Sequence, residues 1–198
     1  MKRIAGIAAV CAFLTALPIA AVHAVDLSQA VILVASQELG GSPFEQTVVI
    51  AAPLPDGGHF GFIVNRPTRI KLAALLPDKS ARKVKEFVYL GGPALSRAVF
   101  AVMRGAPAGA GTAVPLMPGV VAILDKATID RVMKTTPTAA RYFVGMMLWD
   151  DDELDQQVAD GLWEVRPAEP DCVLPAKAPG LWNSLRKPTA KIDGSSLG

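Results

Sequence analysis

The sequence predicts an α+β domain, a mixed α/β chain built on a mostly antiparallel or mixed sheet. Three observations carry that prediction. Short apolar runs rich in β-branched residues alternate with two clear amphipathic helical patterns. The early runs are joined by tight turns, too short for the crossover that a parallel pair needs. No internal repeat is visible, and the chain is long enough for one domain with a substantial core.

Taken in order, Ala30–Ala35 (AVILVA) reads as a short buried strand and Thr47–Ala52 (TVVIAA) as a second. The turn formers of residues 53–58 (PLPDGG) lead to a third strand, His59–Asn65, hairpinned to the second. Ile70–Leu76 (IKLAALL) predicts a short helix, and Lys79–Glu86 a charged surface stretch. Phe87–Leu90 and Ala98–Met103 read as strands around Gly91-Gly92-Pro93, and Gly105–Thr112 as a loop of small residues. Val120–Leu124 is a further apolar run. Lys126–Lys134 is a helix, with Ile129, Val132 and Met133 on one face. Arg141–Met147 is a buried strand. Asp151–Gly161 is a second helix, with Leu154, Val158 and Leu162 in register. Trp163–Val165 follows, then a Pro-rich stretch, a helical turn near Leu181–Leu185, and loose residues after Lys191. Residues 171–198 read as a partly disordered C-terminal extension.

The N-terminus has the layout of a secretory signal: Lys2 and Arg3, an apolar run from Ile4 to Val22, and small residues in Val22-His23-Ala24. Cleavage is expected after Ala24, with a periplasmic or secreted destination and no membrane association afterwards. An uncleaved anchor is the alternative, but the run is near the minimum of about 17 residues for a span and Pro18 interrupts it. Removing residues 1–24 leaves 18 basic and 18 acidic residues. A neutral chain has no global electrostatic reason to bind nucleic acid. It also leaves Cys172 as the single cysteine and His59 as the single histidine. The fold then holds no internal disulfide. A serine triad has only His59 to draw on, and there is no Gly-x-Ser-x-Gly elbow.

One short stretch carries more chemistry than its surroundings. GFIVNRPT (Gly61–Thr68) runs three apolar residues straight into Asn65-Arg66-Pro67-Thr68. Pro67 fixes its own φ and pushes Arg66 to an extended conformation. Asn65 suits a turn, and Thr68 can cap the expected helix. Arg66 is left over, with five fixed donors suited to a carboxylate or phosphate, internal or external. Gly91-Gly92-Pro93 reads as a tight turn or as backbone N–H groups forming an anion nest. If both stretches lie at one sheet end, they define a pocket with Arg97 nearby. The candidate ligand-binding residues are therefore Asn65, Arg66, Thr68, Gly91, Gly92 and Arg97. No catalytic residue, metal ligand set or cofactor motif is expected. The acidic run Asp150–Glu153 lacks the turn glycine and spacing of a calcium loop and reads as acids at a helix start. Trp149 and Trp163 read as core.

Three separated segments together resemble one family. SPFEQTVVI (Ser42–Ile50) with GFIVNRPT, then YLGGPALSRAVF (Tyr89–Phe100), then ARYFVGMMLWDDDELDQQVADGLWEV (Ala140–Val165) are similar to the YqgE/AlgH family in order and spacing. The resemblance implies residues 25–170 as the family domain, with a strongly bent sheet approaching a barrel and flanked by short helices. It implies no established enzyme activity, and for one member a regulatory role in alginate production. The chain departs from the family pattern at Leu148 and Asp152, which stand where glycines do, at Glu153, which stands for glutamine, and in its export signal, since members are typically cytoplasmic. Together these features predict an exported binding or accessory protein whose partner is another protein or a small anion. An enzyme using Arg66 and the Gly91-Gly92 backbone on an anionic substrate is the alternative, and a cytoplasmic regulator a further one.

Overall fold

Among the described residues ten strands form one curled sheet, and many of its residues are buried and apolar on both faces. The computed structural model describes residues 26–75, 85–107, 113–174 and 178–186. Residues 108–112 of the expected loop, most of the charged stretch, the signal and the end of the chain lie outside them. The strands are β1 Val31–Ala35, β2 Val48–Pro53, β3 His59–Ile63, β4 Pro67–Lys71, β5 Phe87–Leu90, β6 Ala94–Arg104, β7 Ala113–Met117, β8 Val120–Ile123, β9 Ala140–Trp149 and β10 Trp163–Pro167. The helices are α1 Leu72–Leu75, α2 Lys126–Thr135, α3 Glu153–Ala159, α4 Pro170–Val173 and α5 Leu181–Arg186. The main path runs β10-β1-β2-β3-β9-β6-β8-β7, with β4 and β5 branching from β9. Every pairing is antiparallel except β5 with β9. The result is a mixed α+β domain with a half-barrel sheet and a few short helices.

Successive strand residues face opposite sides. Ile32, Val34, Val48, Ile50, Phe60, Phe62, Phe100 and Phe143 point into the concave core. Phe62 is its centre, with ring centroids 5.0 Å from Phe143, 5.9 Å from Phe100 and 6.1 Å from Phe60. The alternate residues face outward but are also covered. Leu33, Val49 and Ile63 pack with Leu154, Trp149 and Trp163. Ala101, Met103 and Tyr142 pack under Ile129, Val132 and Met133 of α2. Burial of both faces explains why AVILVA and TVVIAA are continuous apolar runs rather than alternating ones. Cys172, Leu181, Trp182 and Leu185 close the concave side, and the Trp182 indole N–H donates to the Ala35 carbonyl at 2.8 Å.

Three expectations need correction. The helix predicted to begin at Ile70 begins instead at Leu72, because Pro67–Lys71 is drawn into a strand against β5, with Pro67 opposite Tyr89 and Lys71 opposite Phe87. Thr68 accordingly caps no helix. Its hydroxyl donates to the Val88 carbonyl at 2.7 Å and accepts from the Ile70 N–H, pinning β4 to β5. Strand β7 was not expected, since Pro115 interrupts it. It pairs only with β8, and an edge strand tolerates proline.

Candidate functional site

Asn65 extends the β2–β3 ladder with its side chain. Its Oδ1 accepts from the Val48 N–H at 2.9 Å and its Nδ2 donates to the Gln46 carbonyl at 2.8 Å. Arg66 continues the grip on the same loop, with Nη1 donating to the Pro43 carbonyl and Nη2 to the Glu45 carbonyl at 2.7 Å. The loop is further tied by Ser42, whose hydroxyl donates to Leu39 and accepts from the Phe44 N–H, and by the Glu45 carboxylate on the Gly41 N–H. SPFEQ and NRPT are thus one physical unit, a loop and its clamp.

Gly91 and Gly92 sit where the sheet forks. Near its end β9 pairs with β3, His59 opposite Trp149 and Gly61 opposite Met147. Nearer its start it pairs with β5, Tyr89 opposite Phe143 and Leu90 opposite Val144. Gly91 stitches the fork: its N–H donates to Val144 at 2.8 Å and its carbonyl accepts from Ile63 at 2.9 Å. The chain then crosses β9 against Gly145. A Cβ on Gly91 would stand 2.2 Å from the Gly145 carbonyl oxygen, and one on Gly145 (φ +71°) 2.2 Å from that of Gly92. Only glycines allow this backbone-on-backbone crossing. The Arg66 carbonyl accepts from the Leu90 N–H at 3.0 Å, so Asn65, Arg66, Thr68, Gly91 and Gly92 do meet at one place.

Two clefts flank this fork. The first, about 310 Å³, is lined by Pro67, Thr68, Glu86, Tyr89, Arg141 and Tyr142 among others. The Arg141 guanidinium lies 4.6 Å above the Tyr89 ring centroid, a cation–π contact. Burial pulls the Arg141 pKa down and Tyr89 opposes that pull. Burial, reinforced by Glu86, pushes the Tyr142 phenol up, and its hydroxyl donates to the Pro137 carbonyl at 3.1 Å. Sequence reasoning passed over Arg141 and Tyr89. The available signal was an arginine at the head of an otherwise apolar strand, ARYFV. The second cleft, about 280 Å³, lies between β6 and α2, and Arg97 lines both it and the open hollow of Leu95–Ala98. Arg97 therefore faces a different cleft from Thr68.

Most of the other residues singled out in the sequence have internal partners. Trp149 and Trp163 are buried, and both indole N–H groups donate to one acceptor, Gln157 Oε1, at 3.0 and 2.8 Å. Glu153 at the start of α3 accepts from the Asp150 N–H at 3.1 Å. The His59 ring bonds the Leu27 carbonyl at 2.9 Å. Cys172 is half-buried, its thiol pKa raised by burial and by Glu169 and Asp171. Among the described residues no three His, Cys, Asp or Glu side chains are placed to share a metal ion. None of the described helices is long and apolar enough to cross a membrane.

A half-barrel with a glycine-lined fork, clamped by Asn-Arg, defines the class of protein. Its sequence relatives give the family. The AlgH-like family model (DUF179) matches residues 32–190, and the chain belongs to this YqgE/AlgH family. A UPF0301 protein of Ruegeria pomeroyi is 25% identical over 162 residues, covering 79% of this chain and 88% of its own. A UPF0301 protein of Chlorobium phaeobacteroides is 27% identical over 156 residues, covering 77% and 81%. Among solved structures, the AlgH protein of Pseudomonas aeruginosa superposes with a TM-score of 0.68 at 19% identity, covering 81% of this chain and 87% of that one. A Corynebacterium diphtheriae protein gives 0.65 at 20%, covering 82% and 88%. At those identities the likeness speaks for the fold.

Proposed function

We propose that the protein is an exported binding or accessory protein rather than an enzyme, with another protein or a small anion as its partner. The supporting observation is the engagement of Arg66 and Gly91. Two guanidinium donors of Arg66 bond the carbonyls of Pro43 and Glu45, and the Gly91 N–H bonds Val144. Oxyanion stabilisation needs donors aimed at the reacting atom. An enzyme built on these groups would have only the remaining Arg66 donors to use, since the Gly91 N–H is committed to the fork. Export is supported by the basic, apolar and small-residue order of residues 1–24. A regulator acting on a gene would need the protein in the cytoplasm. Native mass spectrometry on protein from its host's cell envelope tests the reading. The expected mass runs from Val25 to Gly198, with non-covalent mass added. An intact mass from Met1, or a bare chain after mild cross-linking, would contradict it.

A further inference from the structure

Strand β6 is paired with β9 at Ala94, opposite Met146, and again at Val99, opposite Val144. Between those rungs β6 carries residues 95–98 where β9 has Gly145 alone, so β6 loops outward. Leu95 in this bulge is left-handed at φ 48° and 58% exposed. A leucine in that region is strained by roughly 1–2 kcal/mol, and bulges commonly re-aim a side chain beside a functional site. Here the bulge brings Arg97 to the 280 Å³ cleft between β6 and α2.

The cleft combines one unmatched charge with apolar walls. Leu75, Val99, Leu124 and Ile129 line it. Lys126 and Asp130 of α2 also line it, but Lys126 Nζ bonds Asp130 Oδ2 at 2.7 Å, and Asp130 Oδ1 is shut away from solvent. That pair is internally neutral. Arg97 is exposed, and no hydrogen bond or ion pair of its own is found among the described residues. It therefore sets the sign of the cleft. A guanidinium takes a carboxylate in a two-pronged hydrogen bond, while Leu75, Val99, Leu124 and Ile129 offer a ligand's remainder apolar surface. At about 280 Å³ the volume falls just below the roughly 300 Å³ where drug-sized ligand pockets start, which suits a smaller ligand.

We propose that this cleft binds a small amphiphilic anion, a carboxylate carrying a short aliphatic tail. Arg97 holds the carboxylate, and Leu75, Val99, Leu124 and Ile129 take the tail. This deepens the binding-protein reading and rests on it.

Octanoate, octan-1-ol and sulfate, each titrated into the purified protein and followed by amide ¹H–¹⁵N NMR, form the test. Octanoate is expected to give saturable shifts at residues 95–99 and 124–130. Arg97→Ala, an exposed substitution that leaves the core intact, should weaken octanoate by about tenfold. Octan-1-ol should bind the native protein as weakly as octanoate binds the variant. Sulfate should move Arg97 without moving Leu124 or Ile129. Octan-1-ol binding as tightly as octanoate, an unchanged affinity in Arg97→Ala, or no saturable shift would each overturn the assignment. So would shifts in this cleft that depend on protein concentration alone, which would mean a second copy fills it. In all these cases a partner mass in the envelope preparation would leave the broader reading standing.

Discussion

At the residue scale, the family pattern and the backbone explain each other at position 152. Asp152 has φ 61° and makes no side-chain capping bond to α3. A glycine, which the family resemblance implies at this position, adopts such a conformation freely, and aspartate does so at a cost. Asp152→Gly is expected to stabilise the protein by about 0.5 kcal/mol, the strain relieved slightly exceeding the added freedom of the unfolded chain. Matched denaturant titrations would read it, and a loss of stability would contradict it. The strain also explains why α3 starts at Glu153 rather than at Asp151. Leu148, the other replacement, is 45% exposed, and the structure gives no reason for the leucine there. Asn65 suits a turn that bonds its own backbone, but its side chain instead bonds Val48 and Gln46 across the loop. Pro67 and the buried tryptophans were legible from chemistry alone. The partners of Arg66 were not, since backbone carbonyls leave no trace in side-chain identity.

At the element scale, the fork at β9 makes the sheet a half-barrel. Gly91, Gly92 and Gly145 let one strand cross another at a separation no side chain permits. Gly145→Ala would place its Cβ 2.2 Å from the Gly92 carbonyl oxygen at a left-handed φ of 71°. The expected cost is at least about 3 kcal/mol, or failure to fold. Circular dichroism with thermal unfolding decides it, and a wild-type melting curve would refute the crossing. Most strands were visible in the sequence because both of their faces are buried. Strand β4 was not, because IKLAALL has a helical pattern while its position is fixed by Thr68 on Val88, a contact between residues 20 apart in sequence. Strand β7 was hidden by Pro115.

At the scale of the whole molecule, the half-barrel is closed by the chain's last described segment. Trp182 packs against both the concave core and the cluster around Trp163, and its N–H bonds Ala35. Trp182→Ala should cost about 2–3 kcal/mol, combining lost packing with an unsatisfied carbonyl. Urea unfolding with an unchanged midpoint would show the segment to be ornamental. The sheet's outer strands carry residues that discourage pairing with another chain. These are Pro67, Arg69 and Lys71 on β4, Pro115 on β7, and Glu164, Arg166 and Pro167 on β10. None of this long-range closure is written in local periodicity.

Asn65-Arg66 is a clamp for the fold, while Arg97 is an arginine left available for a ligand. Guanidinium unfolding of Arg66→Ala beside Arg97→Ala tests it most directly. Arg66→Ala removes two charge-assisted bonds to backbone carbonyls and is expected to lose about 2–4 kcal/mol. Arg97→Ala is expected to stay within about 0.5 kcal/mol of the native protein. An Arg66→Ala protein as stable as the native one, yet stripped of the non-covalent mass carried from the cell envelope, would contradict the account and make Arg66 the ligand's residue.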